Sequence, residues 1–124
     1  MGKFVIKPTK NDGVKFDLIA TTGKVIASSQ VYANERNCRT GIESVIANAP
    51  GAALEDQTVK DFAEQKHPKF EVYVDKAGEY RFRLKATNGQ IVAVSEGYNN
   101  LADCLSTVDS VRQNVAGAPI EVTG

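Results

Sequence analysis

The stretch KAGEYRFRLKATNGQIVAVSEGY, residues 76–98, decides the fold of this chain. Apolar and basic side chains alternate through Arg81–Lys85, a period of two that is typical of a strand with one buried face. The dipeptide Asn88-Gly89 predicts a two-residue type I′ turn, because both residues tolerate positive φ. A second strand then follows over 91–95. The stretch therefore predicts a β-hairpin.

The same pattern occurs twice. Sliding the sequence by 66 positions aligns residues 3–58 (repeat one) with residues 69–124 (repeat two), and 19 of the 56 pairs are identical. The repeats are joined by the linker 59–68, in which Val59, Phe62 and Ala63 predict a helical turn. In repeat one the hairpin turn is predicted at Thr22-Gly23. The duplication predicts one fold for both halves.

A two-residue turn sets the register of the strands that flank it. The predicted inner pairs are Ala20–Val25, Leu18–Ala27 and Phe16–Ser29 in repeat one, and Ala86–Ile91, Leu84–Ala93 and Phe82–Ser95 in repeat two. The predicted outer pairs are Ile19–Ile26, Lys85–Val92, Arg83–Val94 and Arg81–Glu96. Each hairpin is preceded by another strand, over 3–7 or 69–74.

A helix is predicted after each hairpin, with Asn34 and Asn100 as N-caps. The apolar residues behind these caps recur at helical spacing: Cys38, Ile42, Val45 and Ala49, then Cys104, Val108, Val111 and Val115. A short extended piece ends each repeat, over 52–55 or 118–122. A β-β-β-α-β unit of this size has a marginal core alone. We therefore expect one α+β domain over residues 1–124, with a mainly antiparallel sheet, two helices on one face and pseudo-twofold symmetry.

Residues 76–86, Asn88-Gly89 and Ser95–Tyr98 resemble the YegP-like family of small bacterial tandem-repeat proteins. Repeat one departs from this pattern at Thr22, Gln30 and Val31. The resemblance implies that the repeats exchange their C-terminal strands, and that members with one copy form the same structure as a dimer. A chain with two copies would then be a monomer that mimics this dimer. The resemblance implies no activity for particular residues.

Composition and charge restrict the function. Fifteen basic residues balance fifteen acidic ones, which argues against a chain whose main task is binding nucleic acid or an anionic membrane. The apolar run at the N-terminus is too short for a signal peptide or a spanning helix. Two cysteines outside any Cys-x-x-Cys pair favour a reducing compartment, so we expect a cytoplasmic protein.

Catalytic and metal-binding patterns are absent from the sequence. Cys38 and Cys104 lie on the apolar stripes of their helices and are predicted to be buried, inert thiols. His67 is the only histidine, and no Cys/His cluster accompanies it. We therefore expect no catalytic residue, no metal and no cofactor.

The outer sheet face is the candidate site, as a surface for a non-enzymatic binding or interaction module. Its predicted residues are Tyr73, Arg81, Arg83, Lys85, Val92, Val94 and Glu96. Such a face could bind a protein, which the zero net charge favours over nucleic acid, or could be a solvated sheet with cross-strand ion pairs. An enzyme or small-ligand binder with a groove where Tyr32 and Tyr98 meet is an alternative. A structural or stress-associated protein is another.

Overall fold

The computed structural model describes residues 2–123 as one eight-stranded sheet with two helices packed on one face. The elements are β1 (Lys3–Pro8), β2 (Val14–Ile19), β3 (Val25–Ser28), α1 (Glu35–Asn48), β4 (Ala53–Asp56), β5 (Lys69–Val74), β6 (Tyr80–Lys85), β7 (Ile91–Val94), α2 (Leu101–Asn114) and β8 (Ile120–Val122). The strand order is β4-β5-β6-β7-β3-β2-β1-β8. The predicted α+β fold is confirmed.

The last strand of each repeat pairs with the first strand of the other repeat. β4 lies parallel to β5, with Leu54 opposite Phe70. β8 lies parallel to β1, with Ile120 opposite Phe4. The other adjacent pairs in the sheet are antiparallel. The exchange of C-terminal strands is thus confirmed.

The two repeats meet at the centre of the sheet, where β3 pairs with β7. Ser28 lies opposite Val94, and these two residues occupy equivalent positions in the repeats. A pair of equivalent residues can face each other across an antiparallel ladder only where a twofold axis passes between them. The pseudo-twofold axis therefore runs through this pair.

The helices cover the inner face and close a single apolar core. All eight residues of the predicted helical stripes are at most 1% exposed: Cys38, Ile42, Val45, Ala49, Cys104, Val108, Val111 and Val115. Beneath them Phe4 and Phe16 meet edge to face with ring centroids 5.7 Å apart. Phe70 and Phe82 repeat this contact at 5.8 Å. The duplicated sequence thus reproduces its core contacts.

The hairpin turns differ from the prediction. Ala20 accepts a bond from Gly23 and donates one to Lys24, so the loop has three residues and not two. Gly23 has a φ of 87° and Gly89 a φ of 82°, but neither Thr22 nor Asn88 has a positive φ. A type I turn followed by a left-handed glycine has this geometry. The predicted type I′ turns are wrong.

The longer loop changes the register beside each turn. Leu18–Ala27 and Leu84–Ala93 pair as predicted, but Val25 faces Ile19 and Ile91 faces Lys85. The predicted pairs Ala20–Val25, Ala86–Ile91, Ile19–Ile26 and Lys85–Val92 are therefore wrong. Ile26 and Val92 become the extra residues of β-bulges, and both are buried in the core, 4% and 8% exposed.

The segment between β4 and β5 contains no helix. The predicted helical turn through Val59, Phe62 and Ala63 is wrong, because this segment consists of turns and irregular chain. Gln57 extends the pairing of β4 by donating its backbone N–H to Val72 at 2.8 Å. The chain then returns across the outer face, where the Gln65 backbone N–H donates to the Glu55 carboxylate at 2.7 Å.

Both helix N-caps have the predicted geometry and provide a first test of the fold. The side chain of Asn34 accepts the Asn37 N–H at 2.8 Å, and that of Asn100 accepts the Asp103 N–H at 2.8 Å. Replacing either cap by alanine is expected to lower the free energy of unfolding by about 1 kcal/mol, because one helical N–H loses its partner. Urea unfolding of Asn34→Ala and Asn100→Ala measures this loss. A cost near zero in both variants would contradict the cap assignment.

Candidate functional site

The outer face of β5, β6 and β7 presents most of the predicted site residues. Arg81, Arg83 and Lys85 alternate with the buried Phe82 and Leu84 along β6. Val94 is 37% exposed opposite Arg83. Tyr73 lies on β5, and the Arg83 guanidinium lies 4.5 Å from the centre of its ring. Val92 was also predicted here, but it is buried in the core.

Arg81 is held by a carboxylate from its own hairpin. Its Nε donates to Asp75 at 2.5 Å, and its Nη1 donates to the Ser95 carbonyl at 3.1 Å. Over residues 2–123 no ion pair joins Arg81 to its predicted neighbour Glu96, which stays exposed. Hydrogen bonds from the Glu79 backbone and from Arg81 lower the pKa of Asp75. The same ion pair raises the pKa of Arg81.

The buried carboxylate of Glu71 forms ion pairs with three cations of this face. Arg83 Nε lies 2.5 Å from its carboxylate, Lys69 Nζ 3.1 Å and Lys85 Nζ 3.3 Å. Burial opposes the charge of Glu71, but hydrogen bonds from Arg83, Lys69 and Lys85 outweigh burial and lower its pKa. Glu71 is therefore an anion that three cations neutralise.

Several ion pairs of the outer face share one orientation: the acid is buried and the cation reaches solvent. The Arg83 and Lys85 side chains are 30% and 24% exposed, whereas the Glu71 side chain is 4% exposed. Repeat one has the same arrangement, with Lys7 and Lys15 at 44% and 29% around Asp17 at 7%. The accessible partners in these ion pairs are thus hydrogen-bond donors, although the chain carries no net charge.

A second buried pair lies under the segment that joins the repeats. Lys69 Nζ contacts Glu55 at 2.8 Å, and their side chains are 5% and 1% exposed. Burial alone would raise the pKa of Glu55, but hydrogen bonds from Lys69, Gln57 and the Gln65 backbone lower it to about 2. The charge of Glu55 therefore persists across ordinary pH.

Two grooves on the described surface are large enough to take a ligand. The first, of about 420 Å³, is lined by Gly2, Lys3, Ile19, Ala20, Thr21, Gly23 and Pro119. The second, of about 480 Å³, is lined by Gln30, Lys85, Gly89, Gln90 and Ile91. Both are open on one side. The residues with shifted pKa values are found in ion pairs or in the core, and none of them lines either groove.

The two tyrosines of the alternative site lie in separate environments. Tyr32 stacks on Phe16 with ring centroids 6.4 Å apart, and burial raises its pKa. The Tyr98 ring has the Lys24 ammonium 5.0 Å from its centre. Over residues 2–123 no aromatic contact joins the two rings. The structure does not form the predicted tyrosine pair.

The remaining reactive side chains are the two cysteines and the histidine. Cys38 and Cys104 are buried as predicted, and burial raises the pKa of both thiols, to about 11 for Cys104. His67 is exposed beside Gly89. In the described part of the chain no three His, Cys, Asp or Glu side chains converge to hold a metal ion. No helix between residues 2 and 123 is long and apolar enough to cross a membrane.

Sequence reasoning missed the acids that hold the outer cations. Glu55, Lys69, Glu71 and Asp75 belong to no motif in the sequence that would single them out. The alternation along β5 was the available signal, because Lys69, Glu71 and Tyr73 share the face opposite Phe70 and Val72. Their burial depends on the returning chain at 57–65, which no local pattern indicated.

Comparison with known proteins gives one family. Residues 10–56 and 75–121 match the family described as domain of unknown function DUF1508. The chain is similar to the UPF0339 protein YegP of Yersinia pestis, with 31% identity over 114 residues, 92% of this chain and 88% of that protein. A UPF0339 protein of Methanosarcina acetivorans is 54% identical over 54 residues, 44% of this chain and 93% of that protein. The solution structure of a UPF0339 protein from Shewanella oneidensis matches with a TM-score of 0.79 and 29% identity, over 98% of this chain and 90% of that one.

Proposed function

The chain belongs to the DUF1508 family, whose function is unknown, and we propose that it is a non-enzymatic binding module whose outer sheet face contacts an acidic protein surface. Membership in this family confirms the YegP-like resemblance. The proposal rests mainly on the orientation of these ion pairs, in which a buried carboxylate is paired with a cation that is exposed to solvent. We place the module in the cytoplasm, because buried free thiols suit a reducing compartment.

The geometry of the face suits recognition by charge. Contact with Glu71 and stacking on Tyr73 hold the Arg83 guanidinium in place, and contact with Asp75 holds Arg81. A cation that is already ordered loses less conformational entropy when it binds a carboxylate. Val94 and Ile91, 37% and 43% exposed, add apolar area between the charges. Mixed apolar and arginine-rich patches of this kind are typical of protein interfaces.

A protein partner fits the face better than a nucleic acid. Binding a phosphate backbone requires an excess of cations spread over several contacts. On this face Arg81 and Arg83 each already form an ion pair with a carboxylate of the chain itself. The exposed Glu96 lies beside the face. A protein surface with a few carboxylates is complementary to these cations, whereas a continuous polyanion would be repelled by Glu96.

Reversing one outward charge tests the proposal. Arg81→Glu is expected to reduce recovery of partner proteins in a quantitative pull-down by roughly tenfold or more, because a charge at an interface centre contributes about 2 kcal/mol or more. Arg81 is chosen over Arg83, because Arg83 also neutralises the buried Glu71.

Arg39→Glu is the matched control. Arg39 is 43% exposed on α1, on the helical side of the protein, so the charge change is the same and the surface differs. Both variants should keep the circular dichroism spectrum of the unmodified protein. If the partners of the unmodified chain remain bound to Arg81→Glu, the outer face is not the binding surface.

A further inference from the structure

The internal repeat allows each half of the surface to be compared with the other. The 420 Å³ groove lies at the end of the repeat-one hairpin. A shift by 66 positions places the residues equivalent to its lining at Pro68, Lys69, Lys85, Ala86, Thr87, Gly89 and Ala53. These residues form the same corner of the fold in repeat two, where β5, β6 and the turn after β6 meet.

In repeat two the linker residue His67 borders this corner at Gly89, and the 480 Å³ groove opens beside the same glycine. A Cβ atom on Gly89 would lie 3.5 Å from His67 Cε1, which is ordinary van der Waals contact. No described atom lies within 4 Å of the same position on the equivalent Gly23. The imidazole of His67 therefore contacts the repeat-two counterpart of the groove at Gly89, while His67 itself stays exposed.

The ion pairs next to the two corners also differ in their exposure to solvent. Lys69 and Glu55 are 5% and 1% exposed under the returning chain. Their equivalents Lys3 and Glu121 form an ion pair too, at 3.1 Å, but are 43% and 50% exposed. The same local fold thus has one ion pair buried under an extended segment and one ion pair that is accessible.

We propose that the repeat-one groove binds an extended acidic segment of a protein partner and takes one aromatic side chain of that segment. The position that is Lys85 in repeat two is Ile19 here, so this groove is more apolar than its counterpart beside His67. Lys3 lines the groove, and Lys7 and Lys15 lie further along β1 and β2 on the same face; the three are 29–44% exposed, which matches carboxylates on one side of the inserted ring. The inference rests on the proposed function, because it names a part of the outer face and the kind of segment it binds.

Synthetic peptides as long as segment 57–68 test the groove on the intact protein. The probe carries one Trp flanked by Glu residues, and its binding is followed by fluorescence anisotropy. Thr21→Phe places a ring in the groove and is expected to weaken binding by roughly tenfold or more, the loss typical of a blocked anchor pocket. Thr87→Phe changes the equivalent exposed threonine of repeat two and is expected to leave binding within about twofold, since a twofold change is within measurement scatter.

Two further peptides identify the partner chemistry. Replacing Trp by Ala in the probe, or replacing its Glu residues by Lys, should each abolish most of the binding. The inference is overturned if the acidic Trp peptide does not bind, if Thr21→Phe binds it as well as the unmodified protein, or if an oligonucleotide of the same length displaces it. None of these results bears on Arg81, so the proposed function is judged separately by the pull-down with Arg81→Glu.

Discussion

Residues 67–124 expressed alone are expected to assemble into a dimer with the same eight-stranded sheet, and not to fold as a monomer. In the intact chain β8 pairs with β1, β7 pairs with β3, and β5 pairs with β4. The fragment contains none of these three partners. In a dimer, each β8 would take the place of β4 beside the β5 of the other subunit.

The position of the pseudo-twofold axis makes this assembly possible. Ser28 and Val94 are equivalent and already face each other, so two copies of repeat two would place Val94 opposite Val94. The UPF0339 relative from Methanosarcina acetivorans supports the argument, because its 54 matched residues are 93% of its length and therefore about one repeat. A chain this short has only a marginal core alone.

Analytical ultracentrifugation at several concentrations measures the association, and amide hydrogen exchange measures the fold. The fragment should lose its protected amides as the dimer dissociates, because folding and association are then one process. The intact chain, measured in parallel, should keep its protection on dilution. A monomeric fragment with protected amides would show that the two repeats do not need a shared core.

The sequence predicted the elements of the fold well, because their signals are local and occur twice. The N-caps Asn34 and Asn100 and the helical stripes behind them required no knowledge of distant residues. The turn geometry was not predicted, because Gly89 at positive φ suits both a type I′ turn and the three-residue loop that forms. One extra loop residue then moved Val92 from the outer face into the core.

The candidate site was only partly predictable, for a different reason. Strand alternation placed Arg81, Arg83 and Lys85 on the outer face correctly. Their exposure, however, depends on which acids lie beneath them, and those acids come from other strands. The burial of Glu55 and Lys69 depends on a chain segment that leaves the sheet and returns. No periodicity or motif in the sequence predicts that this segment will cover Glu55 and Lys69.

Lys69→Met is expected to lower the free energy of unfolding by about 3–5 kcal/mol at pH 7, the usual cost of removing one partner from a buried ion pair. Lys69 is the cation that contacts both Glu55 and Glu71. Glu71 would keep Arg83 and Lys85, but Glu55 would keep only hydrogen bonds from Gln57 and Gln65. The loss therefore comes mainly from the uncompensated charge of Glu55.

The pH dependence of this loss follows from the pKa of Glu55. In the unmodified protein that pKa is depressed to about 2, so the carboxylate stabilises the fold above its unfolded pKa of about 4.3 and loses this effect as the pH falls toward 2. Without Lys69, burial is expected to raise the pKa of Glu55 above the unfolded value. Acid would then stabilise the variant relative to the unmodified protein, and the difference between them should shrink from pH 7 to about pH 4.

Lys3→Met is the matched control, because Lys3 is the equivalent of Lys69 in repeat one. Its ion pair with Glu121 is exposed on both sides, and exposed pairs contribute about 0–1 kcal/mol. Urea unfolding of both variants at pH 7 and at about pH 4 compares the two corners directly. Equal losses in Lys69→Met and Lys3→Met would mean that the returning chain does not exclude water from Glu55. The difference in burial between the Lys69–Glu55 pair and the Lys3–Glu121 pair would then have no effect on stability.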